Sequence, residues 1–137
     1  HVVTKKNQVT DTQTKRVIYA DKNLDVQELM LISDVLISDY SSAFLDYSIL
    51  DRPVIHMVYD YQYYRDKDSG LYYDIDTFAA GEVADDIAGL IEAIRNSLHG
   101  NDQYRIRRKK VCERFMAYET GNASEKIIKA VIGEQEN

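Results

Sequence analysis

The densest concentration of reactive side chains is Asp39-Tyr40-Ser41-Ser42, with Asp46 about one helical turn further on. It separates a continuous apolar run, Val35-Leu36-Ile37-Ser38, from a helical pattern that begins at Ala43. Where a strand hands over to a helix, the first backbone amides have no intrahelical partner, and the helix dipole leaves partial positive charge there. Two hydroxyls beside such amides form a compact donor set for a phosphate or diphosphate. Asp39 repels phosphate but can fix a hydroxyl or an amide. Asp46 would project from the same end and accept from sugar or polyol hydroxyls. The competing reading is a plain helix cap, because serine is a favoured cap residue without any ligand. There is no Gly-rich loop and no Gly-Lys-Ser/Thr, which counts against a P-loop nucleotide hydrolase.

Other chemistry-bearing residues are easier to assign to structure. His56 falls inside the apolar run 54–59 and reads as a packed core histidine. His99 beside Gly100 reads as a helix-end surface residue. Tyr59, Tyr61, Tyr63 and Tyr64 form a cluster whose default role is half-buried packing, with a stacking surface for a planar ligand as the sharper alternative. Asp85-Asp86 reads as helix-start charge, and no His/Asp/Glu group has metal-ligand spacing, so neither metal nor cofactor is expected. Cys112 is the only cysteine, which excludes an internal disulfide and fits a reducing cytoplasmic compartment.

These residues must be held by alternating strands and helices. Residues 16–20 read as a short strand. Asp25 caps a helix whose Glu28 can reach back to the cap amide, with Leu29, Met30 and Ile32 on its buried side. Residues 35–38 are a buried parallel strand and Ala43 to Leu50 a helix, stopped by Asp51-Arg52-Pro53; 54–59 is the next strand. Asp60 to Asp76 reads as a charged, Tyr-rich loop, with a possible short strand at Leu71-Tyr72-Tyr73. Ile87, Leu90, Ile91 and Ile94 at the 3.6 period predict a helix over 82–97. A second spans 101–118, with Tyr104, Val111, Phe115 and Tyr118 on one side and a basic run on the other. A last helix over 123–132 buries Ile127, Ile128 and Val131. The order predicts an α/β domain: a Rossmann-like open, mostly parallel sheet flanked by helices. Ligands of such sheets sit at the carboxyl ends of the strands, which points to 38–42 and 59–60.

Composition bounds the partners. The 137 residues carry 17 basic and 23 acidic side chains, a net charge of −6, so a nucleic-acid partner is not expected. Arg105, Arg107, Arg108, Lys109 and Lys110 form a local basic run, and Lys5, Lys6, Lys15 and Arg16 a looser group. Both read as solvated faces, with a phosphate-bearing lipid or membrane surface as the sharper reading. No stretch reaches the roughly 20 apolar residues of a membrane-spanning helix. The chain opens at His1 without an initiator Met, so a single domain over 1–137, excised from a longer protein, is expected.

The run Asp34-Val35-Leu36-Ile37-Ser38-Asp39-Tyr40-Ser41-Ser42-Ala43-Phe44-Leu45-Asp46-Tyr47, followed by Arg52-Pro53 through Tyr59-Asp60, Tyr64-Arg65 and Gly70-Leu71-Tyr72-Tyr73-Asp74, resembles the CDP-glycerol glycerophosphotransferases, the teichoic acid polymerase and primase family. The resemblance implies the C-terminal, donor-binding half of a GT-B-type enzyme that moves polyol phosphate from CDP-glycerol or CDP-ribitol to a lipid-linked polymer. The acceptor-binding N-terminal domain would be missing, and the enzyme would work peripherally at the inner face of the bacterial cell membrane. It implies that Ser41 and Ser42 bind the donor diphosphate and that Asp39 and Asp46 organise the site or meet polyol or ribose hydroxyls. Tyr40, Tyr59, Asp60 and Arg65 would line the nucleotide site. His1, forty residues before Ser41, is in register with a histidine important for catalysis in the family. Two departures stand out: Ser69 where the family often has Arg before the glycine, and Ala79-Ala80-Gly81-Glu82 in place of a proline-flanked glycine. A UDP-sugar-binding half-fold and a non-catalytic binding module are the alternatives.

Overall fold

The computed structural model describes residues 23–68 and 70–133. The strand expected at 16–20, the basic group at 5–16, His1 and Ser69 lie outside the described residues.

The centre is a three-stranded parallel sheet, β1 (Leu36–Ser38), β2 (Val54–Met57) and β3 (Glu82–Ala84), in the order β1-β2-β3. Its register pairs Ser38 with His56 and His56 with Val83. Side chains along β2 alternate between two cores. Val54, with Val58 beyond the strand end, joins Phe44, Tyr47, Phe78 and Val111 on one face, whereas Ile55 joins Ala84 and Ala93 on the other. Helices α2 (Ala43–Ser48) and α6 (Arg105–Phe115) cover the first face, and α5 (Ile87–Leu98) the second. Burial on both faces explains why β2 reads as an unbroken apolar run.

The β1-α2-β2 unit has the expected order, but β1, an edge strand among the described residues, is not buried as expected: Ile37 is exposed and its neighbours are half-buried. Phe44 and Tyr47 are buried, and the Tyr47 hydroxyl donates to the Ser33 carbonyl at 2.8 Å. The helix is followed by Asp51, the one non-glycine with positive φ (51°) among the described residues. Arg52 then donates to the carbonyls of Leu31 and Ser33 at 2.7 and 2.8 Å, closing the end of α1 (Val26–Ile32). Asp25 caps α1 as expected, accepting from the Gln27 amide at 2.8 Å.

Several expectations are corrected. Met30 is the buried residue of α1, while Ile32 is exposed: seven residues present too narrow a stripe for both. The segment after Asp60 holds two short helices, α3 (Tyr61–Lys67) and α4 (Ile75–Phe78), and residues 71–73 bend without forming a strand. Residues 82–84 are strand β3 instead of the first turn of a helix. The helix begins at Ile87 because Asp86 caps it, accepting from the Gly89 amide at 2.7 Å. Gly81 makes β3 possible: a Cβ there would lie 1.7 Å from the Val54 carbonyl oxygen, so only glycine permits this approach to β2.

The basic run is not uniformly solvated. Arg108 is 1% exposed and donates to Asp102 at 2.6 Å and to Asp51 at 3.0 Å. Arg105 reaches the other Asp51 oxygen at 2.7 Å. Tyr118, expected on the packed side, is exposed. The last helix, α7 (Ala123–Ile132), forms where expected, but Ile127, Ile128, Val131 and Ile132 are all exposed.

Candidate functional site

The turn 39–42 stands at the carboxyl end of β1, as the parallel-sheet rule requires. Its local bonds are set by its own side chains. The Ser41 amide donates to an Asp39 carboxylate oxygen at 2.9 Å, and the Ala43 amide donates to the Ser41 hydroxyl oxygen at 3.3 Å. The plain-cap reading therefore fits Ser41, and two of the amides expected to be free for an anion are already engaged. Ser41 keeps its hydroxyl proton to donate. Ser42, the residue that precedes α2, makes no side-chain cap bond. It is exposed and lines a cleft of about 290 Å³ with Tyr40, Phe44, Leu71, Tyr73 and Phe115. A cleft thus opens beside Ser42, with mostly apolar walls.

Tyr40 joins this turn to the next one. Its hydroxyl donates to the Asp60 carboxylate at 2.9 Å, and its ring stacks on Tyr64 with centroids 3.8 Å apart. Burial, then the bond to Asp60, pushes the Tyr40 phenol above its ordinary value, so it stays a neutral donor. Asp60 precedes α3 but makes no cap bond, its carboxylate being held by Tyr40. Tyr40 lines the Ser42 cleft, and Asp60 is tied to it through this hydrogen bond while itself lining a second cleft.

Tyr59 and Arg65 do not line the Ser42 cleft. Tyr59 lines a separate, more polar cleft of about 600 Å³ at the ends of β2 and β3, with Asp60, Tyr61, Tyr63 and Asp85. Arg65 is turned along α3, donating to its neighbour Asp66 at 2.8 Å and to Gln62 at 2.9 Å, with its guanidinium over the Tyr61 ring. Its charge is compensated locally. Asp46 is exposed in the first turn of α2. The apolar wall formed by Leu71, Tyr73 and Phe115 was not anticipated as site lining; the Gly-aromatic segment 70–74 was the only signal, and it covers Leu71 and Tyr73 alone. No group of three or more His, Cys, Asp or Glu able to hold a metal occurs among the described residues.

His56 is buried as expected, 0% exposed between the rings of Phe44 and Phe78. Burial pushes its imidazole down to about 4. The ordinary value applies in the unfolded chain, so between about pH 6.5 and pH 4 unfolding takes up a proton that the native state refuses. This contribution to stability is whole above the unfolded value and is lost as pH falls through the folded one. At about 1.36 kcal/mol per unit it amounts to roughly 3 kcal/mol. Urea unfolding at neutral and acidic pH should give a steeper acid loss for the native sequence than for His56→Phe. Parallel curves for the two would refute the assignment.

The family model described as CDP-Glycerol:Poly(glycerophosphate) glycerophosphotransferase matches residues 1–133. A teichoic acid poly(glycerol phosphate) polymerase of Bacillus spizizenii is 36% identical over 115 residues, covering 84% of this chain and 28% of that protein. A teichoic acid ribitol-phosphate primase of the same species is 33% identical over 100 residues, covering 73% and 25% respectively. Among solved structures, the wall teichoic acid polymerase TagF soaked with CDPG superposes with a TM-score of 0.69 at 34% identity, covering 80% of this chain and 27% of that one. The chain spans about a quarter of the length of these relatives. Its three-stranded parallel sheet and its Asp39-Tyr40-Ser41-Ser42 turn thus sit in a match that runs nearly end to end: the chain belongs to the CDP-glycerol:poly(glycerophosphate) glycerophosphotransferase family.

Proposed function

We propose that this chain is the donor-binding half of a GT-B-type transferase that moves glycerol phosphate or ribitol phosphate from its CDP-activated form onto a lipid-linked teichoic acid or capsule polymer, releasing CMP. The observation that carries the reading is the Ser42 hydroxyl, uncapped and exposed beside an open cleft at the carboxyl end of β1, within the family's motif. The Ser41 and Ser42 hydroxyls donate to the diphosphate. Asp39 holds the Ser41 amide and so fixes the turn, and Tyr40 with Asp60 braces it from β2. Asp46 accepts from a donor hydroxyl.

In the reaction, the acceptor hydroxyl oxygen attacks the β-phosphorus. The bond from that phosphorus to the bridging oxygen breaks, and the electron pair leaves with CMP. His1 takes the acceptor proton as general base, a role to which an imidazole is generally suited. Hydroxyl donors aimed at the diphosphate stabilise the charge that develops on the leaving group. An acceptor-binding domain completes the site. Relatives are named for both glycerol-phosphate and ribitol-phosphate chemistry, so the donor is a CDP-polyol of either kind. No described helix is long and apolar enough to cross a membrane. Work at the cytoplasmic membrane face then relies on peripheral contact, for which exposed Lys109 and Lys110 on α6 offer positive charge.

Calorimetric titration with CDP and with UDP tests the donor assignment. CDP is expected to bind tighter by about tenfold or more, equivalent to 1.4 kcal/mol. Preference for UDP would favour a UDP-sugar enzyme, and no heat with either would leave a non-catalytic module.

A further inference from the structure

The His56 ring takes no part in the chemistry above, yet one of its nitrogens is unaccounted for. Nε2 accepts the Ala80 amide hydrogen at 3.1 Å, which assigns the ring proton of the neutral imidazole to Nδ1. Nδ1 is buried and makes no hydrogen bond. Native interiors hold few such orphans, and each calls for a reason.

Three observations say where this donor lies. The register sets His56 opposite Ser38, the last residue of β1 and the one before the turn. The ring lies on the α2 face, in edge contact with Phe44 two residues after Ser42, with centroids 4.9 Å apart. The Asp39 backbone lies close enough to the ring to favour its protonated form, although no full hydrogen bond joins them. The ring is therefore wedged between the Ala80 amide, fixed beside the Gly81 close approach, and the floor of the serine turn.

We propose that His56 is a positioning residue for the anion-binding turn, its Nδ1–H closing onto the Asp39 carbonyl when the turn takes up a diphosphate and holding Ser41 and Ser42 in their binding geometry. The role rests on the donor-site reading. It differs from core filling in one respect: it needs a hydrogen at the Nδ1 position, whatever the ring contributes to packing.

Two side chains separate the positions of the two ring nitrogens. Asparagine presents an amide where Nδ1 stood, and glutamine presents one where Nε2 stood. His56→Asn should therefore keep CDP affinity within about threefold while lowering the melting temperature, because the Ala80 amide loses its acceptor. His56→Gln should keep that acceptor and the melting temperature, but weaken CDP binding about tenfold, the effect of one lost hydrogen bond. His56→Phe should weaken binding to the same extent however well it packs. Ring-nitrogen NMR on the native sequence should show the Nδ1–H tautomer at neutral pH and a shift of that nitrogen on adding CDP. The inference is overturned if the native chain binds CDP and all three variants bind it equally, if affinity merely tracks melting temperature across them, or if the ring proton resides on Nε2. Failure of the native chain to bind CDP removes the donor-site reading itself, and this role with it.

Discussion

Turnover of the full-length protein falls by roughly three orders of magnitude or more when Ser41→Ala and Ser42→Ala are combined. Removing one preorganised donor from a developing negative charge costs about 10²–10³ in rate in other enzymes, and under the proposed function two would act on the same diphosphate. The single variants should differ in an informative way. Ser41 accepts from the Ala43 amide, so its loss also weakens the start of α2, by about 1 kcal/mol on the scale of helix caps. Ser42 makes no such bond and is exposed, so Ser42→Ala should leave stability within about 0.5 kcal/mol while still reducing CMP release. CMP release from a CDP-polyol, followed with urea unfolding, separates the two effects. Unchanged turnover in the double variant would end the proposal that this turn holds the donor.

The largest stability effect is expected at Arg108. Its guanidinium is buried between Asp102 and Asp51, and it donates to the Asp51 carbonyl as well, at 3.1 Å. Burial alone would raise the Asp51 carboxyl, but the bonds from Arg105 and Arg108 hold it below its ordinary value. Arg108→Ala removes charge-assisted hydrogen bonds to both Asp102 and Asp51, each worth about 1.5–3 kcal/mol, for a loss of about 3 kcal/mol or more. That is a large share of the roughly 5–15 kcal/mol typical of a whole domain. Arg108→Lys should recover little, because a point charge cannot serve two carboxylates and a carbonyl from one planar fork. Chemical denaturation should place both variants well below the native chain. A loss under about 1 kcal/mol for Arg108→Ala would mean that the cluster is incidental.

The same residue shows what the sequence concealed. Arg108 lies one turn before Val111 and two before Phe115, on the apolar side of α6, yet its charge assigned it to the solvated side. Its partners explain the discrepancy, and Asp51 is brought beside it only by the fold. Strand β3 was equally hidden: three residues are too few for any periodicity, and its enabling signal, Gly81, acquires meaning only against Val54. By contrast, β1-α2-β2 was legible because two apolar runs, a polar turn and a proline stop are all local signals. The site divides along the same line. Ser41, Ser42, Asp39 and Tyr40 are contiguous and came out together, whereas the Tyr40–Asp60 bond and the apolar wall of the Ser42 cleft depend on packing between separate segments.

The winding of the sheet carries a consequence for engineering. From β1 through β2 to β3 the chain advances in one direction, with α2 and α4 contributing to the core on one face, and α5 then crosses to the other. Among the described residues the outer edge of Leu36–Ser38 is unpaired. In a doubly wound sheet the crevice opens where the direction of advance reverses. A strand laid along that edge by an opposite advance makes Leu36–Ser38 the point of reversal and sets the mouth of the crevice over the serines. Grafts that join this chain to the remainder of a relative therefore have one geometrically favoured seam, and a charged or proline-bearing splice along it would close the mouth.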